Sequence, residues 1–216
     1  MAQLQAAFLD NWIVATGKIL LGPDYFPDLE PAGNLSMQSI LSSPAEGQKR
    51  IRKLLLLAFS SAQDHIRIAT AFMYPDPIIK SALVEARERG VEVDILAPAG
   101  NIPEQFVRFA SRNRWGKLLE ADVRIHEYDK SPYHAKLLII DDQWVSFGSA
   151  NLDNRSFRIN DELNVNVYDK DFTQQMIVLF EEDISNSKTY DVERWKKRPW
   201  SERVRGVMGN IIGWHL

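Results

Sequence analysis

Apolar residues recur along this chain with two different periods, and the alternation between them outlines a fold. In residues 2–18, Leu4, Ala7, Phe8, Trp12 and Ile13 return every three to four positions, which predicts a helix. Residues 19–48 break the rhythm with Pro23, Pro27, Pro31, Gly33, Pro44 and Gly47; they read as a connector holding a short strand near Leu35–Leu41. From residue 49 the pattern is regular. Helical spacing covers Arg50–Ala62, Pro77–Arg89, Pro103–Leu119 and Phe172–Ser185. Strand patterns cover Ile66–Thr70, Val91–Leu96, Val123–Tyr128, Ala135–Asp141, Trp144–Gly148 and Glu162–Tyr168. Pro77 suits a first helical turn, and Gly90 falls just past the end of the same helix. Strands alternating with helices of this length predict an α/β layered domain around a buried sheet. The chain thus divides into an N-terminal helix and linker-like segment (1–48), a regular domain (49–186) and a tail (187–216).

The tail has its own charge. It carries seven Lys/Arg and three Asp/Glu, whereas the preceding 186 residues carry 19 and 26. Trp200, Val204, Val207, Met208, Ile211 and Ile212 fall near one face of a predicted tail helix, flanked by Arg203 and Arg205. Two readings stand: a basic helix lying on an anionic membrane, or a terminal helix docked on its own domain or on a partner. The Lys196-Lys197-Arg198 run, beside Trp195 and Trp200, is either simply solvated or a contact for anionic headgroups.

Composition narrows the chemistry. With 45% hydrophobic and 25% charged residues among 216, the chain can bury a core. It has no cysteine, which excludes disulfides, thiolate nucleophiles and thiolate metal sites. A net charge of −3 argues against a dedicated nucleic-acid coat. No run approaches the roughly 20 apolar residues of a membrane span, and the opening residues lack the pattern of a signal peptide.

The chemistry concentrates in residues 133–168, YHAKLLIIDDQWVSFGSANLDNRSFRINDELNVNVYD. On a strand, His134 and Lys136 point to one face, and Asp141 has the opposite parity. A two-residue Asp142-Gln143 turn would set Lys136 opposite Ser149 and His134 opposite Asn151. An imidazole, an ammonium, a hydroxyl and an amide would then share one patch. That set suits a phosphate ester. Lys136, Ser149 and Asn151 stabilise charge on the phosphoryl oxygens, and the imidazole attacks phosphorus to give a phosphohistidine. Glu162, at the start of the next strand, is positioned to accept the ring's other N–H. This arrangement calls for no metal and no cofactor.

His134-x-Lys136-x4-Asp141, followed by Gly148-Ser149-x-Asn151, resembles the HKD signature of the phospholipase D superfamily. The continuation GSANLDNRSFRINDELNV is similar to bacterial cardiolipin synthases, and much of 2–186 is similar to the C-terminal half of such enzymes. The resemblance implies an α/β/α sandwich with a mixed central sheet. It implies His134, Lys136 and Asp141 as the catalytic signature, Lys136, Ser149 and Asn151 as phosphate-binding, and Glu162 as support for the ring. It further implies phosphatidyl transfer on phospholipids such as phosphatidylglycerol, in the bacterial cytoplasm or peripherally at the cytoplasmic face of the membrane. Family enzymes join two HKD copies at one site, and this sequence holds one. His65, His126 and His215 lack a Lys two residues on and read as structural or surface residues. A second copy would come from a homodimer mate or from an N-terminal-half partner chain.

Some positions stay open at this level. Asp141, by its parity, reads first as a turn or salt-bridge residue. Asn154 and Arg155 either contact the phosphate or cap the next turn. Phe72, Tyr74 and Phe106 are core or rim residues, or a wall for acyl chains; Met73 stands where the family usually has an aromatic. A homodimeric nuclease and a non-catalytic half that binds lipid or a full-length relative are the alternative functions. The acidic body disfavours the nuclease.

Overall fold

The computed structural model describes residues 2–30, 32–43, 50–99 and 105–212. Eight strands form one sheet: β1 (Met37–Ser42), β2 (His65–Thr70), β3 (Glu92–Pro98), β4 (Arg124–Tyr128), β5 (Lys136–Ile140), β6 (Trp144–Gly148), β7 (Glu162–Tyr168) and β8 (Ser187–Tyr190). Their spatial order is β1-β7-β6-β5-β2-β3-β4-β8. β2, β3 and β4 run parallel, and every other pairing is antiparallel. The helices are α1 (Ala2–Thr16), α2 (Arg50–Ser61), α3 (Pro77–Glu88), α4 (Gln105–Arg114), α5 (Gly116–Glu120), α6 (Asn154–Arg158), α7 (Lys170–Ser185), α8 (Val192–Lys196) and α9 (Trp200–Ile212).

Helices cover both faces of the sheet, as an α/β/α sandwich requires. On one face Ile51 and Phe59 of α2, Ile79 and Leu83 of α3 and Leu118 of α5 pack on Ile66, Ile68, Ile95 and Leu138. On the other, Ile177 and Phe180 of α7 pack on Ala69, Leu96, Ile139 and Val145. Consecutive residues of β5 therefore enter opposite cores, Leu138 and Ile140 one and Leu137 and Ile139 the other, which explains its unbroken apolar run. The α3 boundaries follow local chemistry. Asp76 accepts from the Ile78 and Ile79 amides at 2.9 Å each, Pro77 opens the helix, and Gly90 leaves it at φ 92°.

Three expectations change. The sheet extends beyond residues 49–186, because β1 closes the β7 edge and β8 closes the β4 edge. Exposed strand edges invite foreign pairing, and ending the sheet on short strands blunts them. The helix expected over Pro103–Leu119 is two, α4 and α5, meeting at Trp115; residues 100–104 lie outside the described residues. Trp115 is buried and donates its indole N–H to the Met73 carbonyl at 3.3 Å. Finally, the β5–β6 turn has three residues, Asp141 to Gln143. Leu137 pairs with Phe147 and Leu138 with Ser146, one position off the expected register. The extra residue is Asp141, held at φ 51° with its amide on the His65 carbonyl at 2.8 Å.

Candidate active site

All the expected site residues but Asp141 lie at the sheet edge where β2 ends, β5 begins and β7 begins, because Thr70 pairs with Lys136 and Gly148 with Asn164. The approach to β5 is fixed from the α7 side. The Tyr133 hydroxyl donates to the Asp183 carboxylate at 3.0 Å, and its ring packs 5.0 Å from that of Tyr128. Burial and the neighbouring Asp183 carboxylate push the phenol's pKa up, so it stays a donor. Tyr133 and Ala135 pack into the α7-side core. Alternation then turns His134 and Lys136 to the opposite side.

There the Lys136 ammonium lies 2.7 Å from His134 Nδ1 and 3.0 Å from Nε2, and donates to the His134 carbonyl at 3.0 Å. His134 is exposed and Lys136 half-buried. Burial lowers the Lys136 pKa, and the nearby Glu162 and Asp153 carboxylates partly raise it back. Lys136, Thr70, Ser146, Asn151 and Asn164 line a recess beneath Ile51 and Leu55 of α2. Asn151 reaches it because the segments after β2 and β6 are tied together. Thr70 Oγ accepts from the Leu152 amide at 3.1 Å, and the Leu152 carbonyl accepts from the Tyr74 amide at 3.0 Å. The Asn151 amide N–H donates to Ser156 Oγ at 2.9 Å, while its side-chain oxygen is buried without a partner among the described residues. The imidazole and the ammonium are thus in contact, and the ammonium shares the recess with the Asn151 side chain.

Ser149 and Glu162 sit beside this group but serve each other. The Ser149 hydroxyl donates to the Glu162 carboxylate and accepts from the Leu163 amide at 3.0 Å; Asn160 donates to the other Glu162 oxygen at 3.2 Å. Glu162 is buried and has no bond to His134 among the described contacts, so it acts on the site through Ser149 and its charge on Lys136. This differs from the expected hydrogen bond to the ring. The reason is that β7 pairs Glu162 with Ser42 of β1 and brings its carboxylate under the Ser149 turn. Gly148 makes that approach fit: a Cβ there would stand 2.1 Å from the Leu163 carbonyl oxygen.

Asp141 lies at the far end of β5, about 16 Å along the strand from Lys136. Its carboxylate accepts from the backbone amides of Gln63, Asp64 and His65, the last two at 2.9 Å. It holds the entry to β2 and is remote from the imidazole. Asn154 and Arg155 open α6, whose N-cap is Asp153, accepting from the Ser156 amide at 2.8 Å.

Comparison with known proteins shows the family and the fold. A family model described as "Cardiolipin synthase, PLD-like domain" matches residues 55–184. The chain belongs to this phospholipase D-like family. It is 39% identical over 211 residues to a cardiolipin synthase of Geobacillus sp. (strain WCH70), covering 97% of this chain and 42% of that protein. It is 32% identical over 212 residues to the major cardiolipin synthase ClsA of Bacillus subtilis (strain 168), covering 97% and 44%. The chain therefore spans about two fifths of the length of these relatives. Phosphatidylserine synthase of Haemophilus influenzae Rd KW20 superposes with a TM-score of 0.68 at 14% identity, over 95% of this chain and 53% of that one. Nuc of Salmonella typhimurium, a phospholipase D family member, gives 0.60 at 24%, over 73% and 99%. These two structures establish the shared fold.

Within the phospholipase D-like domain, sequence reasoning singled out Glu162 but missed Asn164 and Asn166, which continue its polar row on β7. Glu162, Asn164 and Asn166 alternate with Leu163, Val165 and Val167, so all three face the recess side. Asn164 donates to Ser146 Oγ at 3.2 Å and accepts from the Ala150 amide at 3.3 Å, holding the loop that carries Ser149 and Asn151. The period-two pattern of ELNVNVY was the available signal. Sequence reasoning also left His65 and His126 as unrelated residues. They meet on Asp94, at 2.6 and 2.8 Å, at the opposite end of the sheet. Arg124 donates to both Asp94 oxygens, at 2.7 and 2.6 Å, and to Glu92 at 2.5 Å. The guanidinium already supplies these carboxylates with the positive charge that a metal would bring. Met73 and Tyr74 are both core residues, with Arg114 stacked 4.1 Å over the Tyr74 ring; Phe72 is half-buried. The Phe106 side chain and His215 lie outside what is described.

Proposed function

We propose that this domain supplies one of two imidazoles for phosphatidyl transfer between phospholipid phosphodiesters, in the manner of a cardiolipin synthase. The observation that carries the reading is the Lys136 ammonium in contact with the His134 ring beside the Asn151 amide. In the first step an imidazole nitrogen attacks phosphorus, and the bond from phosphorus to the leaving alcohol breaks. The departing oxygen takes a proton from the second imidazole. In the second step that imidazole removes the proton of an acceptor alcohol, whose oxygen attacks phosphorus and breaks the P–N bond. Lys136 and Asn151 hold the phosphoryl oxygens through both steps, where charge develops. His134 fills one of the two roles. The second imidazole lies outside these residues: a second copy supplies it, or an N-terminal half with its own HKD motif. Water in place of the acceptor alcohol gives hydrolysis.

The test is turnover of labelled phosphatidylglycerol by the assembled protein. His134→Ala should lower kcat/KM by about 10³-fold or more, and Lys136→Met by about 10²–10³-fold. An acid-labile phosphoryl adduct should be trapped on a histidine of the assembly. Full activity in the His134→Ala protein, or cleavage of plasmid DNA in preference to lipid, would overturn the reading.

A further inference from the structure

The tail helix α9 docks on the domain with the wrong side inward for an ordinary amphipathic helix. Its inner side is small and polar. Gly206 is buried against α4, where a Cβ would stand 2.7 Å from the Phe109 carbonyl oxygen. Glu202 accepts from Arg112 at 3.2 Å, and Asn113 donates to the Arg203 carbonyl at 3.4 Å. The large apolar residues face away. Trp200 is 78% exposed, Val204 46%, Val207 54% and Met208 54%. These positions are i, i+4, i+7 and i+8, a single helical stripe. Packing on the domain would normally bury such a stripe, yet here the docked face is the opposite one.

Two further features say what covers it. The first is charge. Arg203 and Arg205 flank the stripe and are exposed, as are Lys196 and Lys197 just before it, on a tail with seven basic and three acidic residues. A symmetric contact between two α9 helices would set these cations against their own copies. An anionic bilayer takes both the apolar stripe and the charges. The second is place. α4, the platform for α9, packs against the residues that follow β2 and the last residues of β3: Arg108 and Ser111 line a small cleft with Ala71, Phe72, Ala97 and Pro98. Arg108 also donates to the Ala99 carbonyl at 3.0 Å. That is the same sheet edge that carries Lys136, which pairs with Thr70.

We propose that α9 seats the Trp200–Val204–Val207–Met208 stripe on an anionic lipid surface and so presents the His134 edge of the sheet to that surface. The binding stands by itself; its use in presenting substrate rests on the transferase reading. The experiment is sedimentation of the full chain with vesicles of phosphatidylcholine alone, or of equal parts phosphatidylcholine and phosphatidylglycerol. The wild-type chain and His134→Ala should sediment equally with the mixed vesicles and poorly with phosphatidylcholine. Since His134→Ala binds without turning over, a failure of the chemistry leaves the binding result intact. The double variant Val204→Asp/Val207→Asp, whose changes lie on the exposed stripe, should lose at least about tenfold in vesicle affinity with an unchanged circular dichroism spectrum. Arg203→Glu/Arg205→Glu should lose the preference for phosphatidylglycerol. Trp200→Phe should abolish part of the blue shift in tryptophan emission that accompanies binding. The proposal falls if the Asp variant sediments like wild type. It falls equally if the stripe mutations leave vesicle binding alone and instead convert a dimer to a monomer by light scattering, since the stripe would then take a protein.

Discussion

An ammonium held against an imidazole, partly out of water, is costly to keep charged, and the neighbouring carboxylates offset that cost. Burial is the largest influence on Lys136 and lowers its pKa; Glu162 and Asp153 work against burial. The phosphate-holding role needs the charged form, so activity should fall on the alkaline side as this group deprotonates below its ordinary 10.5. Glu162→Gln removes one of the two offsetting charges but keeps an oxygen to accept from Ser149. The Lys136 pKa should fall further, and the alkaline limb of the kcat/KM profile should move to lower pH. The profile of the variant against wild type is the measurement. A limb that stays in place, or moves to higher pH, would show that some other group titrates. The same pair illustrates what was legible at this scale. His134 and Lys136 on one face followed from strand parity alone. That Glu162 serves Ser149 did not, because it depends on the β7–β1 pairing that no local pattern encodes.

Turns and strand ends fix which residues can meet, and here one residue of turn length moved the register. The expected Asp142-Gln143 turn left Asp141 in the strand; the structure places it in the turn, with its carboxylate on three backbone N–H groups of the β2 entry. Element positions were readable from periodicity, since β6 and β7 begin and end where the alternation does. The turn length was not, because a long-range anchor to residues 63–65 decides it. Asp141→Ala should therefore cost about 1–3 kcal/mol of stability by leaving amide donors unpaired, measured by urea unfolding, with kcat/KM of the folded protein within a few-fold of wild type. A loss of activity as large as that of Lys136→Met in a stable Asp141→Ala protein would restore a chemical role. The opposite pole of the sheet makes a second test. Two histidines and Arg124 bond to the buried Asp94; these bonds outweigh burial and hold its carboxyl far below the usual range. A depressed carboxylate pKa means the folded state binds fewer protons than the unfolded one. Its stabilisation is thus present above the unfolded value of about 3.8 and fades as the pH falls toward the folded value. Asp94→Asn should destabilise by about 3–5 kcal/mol at pH 7, and the gap to wild type should narrow below about pH 4. A gap that is flat with pH would mean that packing, not charge, is lost.

At the scale of the whole molecule, the described residues set one imidazole, that of His134, against Lys136, where the proposed double displacement uses two. His65 and His126 cannot supply the second, since both are committed to Asp94 at the far end of the sheet. The chain spans about two fifths of the length of its curated relatives. If the partner is a second copy, a two-fold axis brings both His134 side chains into one site, and that site works only when both subunits are intact. Mixing wild-type and His134→Ala chains in equal amounts, with exchange allowed, should then leave about a quarter of the wild-type activity per site. Specific activity should also fall on dilution as the dimer dissociates. If the partner is instead a different chain carrying its own imidazole, each site contains one His134, and the mixture keeps about half. In that case the chain alone is inactive at any concentration, and adding the partner restores turnover. The two curves, quadratic or linear in the wild-type fraction, distinguish the assemblies from activity data alone. A mixture that retains full activity would remove His134 from the chemistry and with it the argument for either partner.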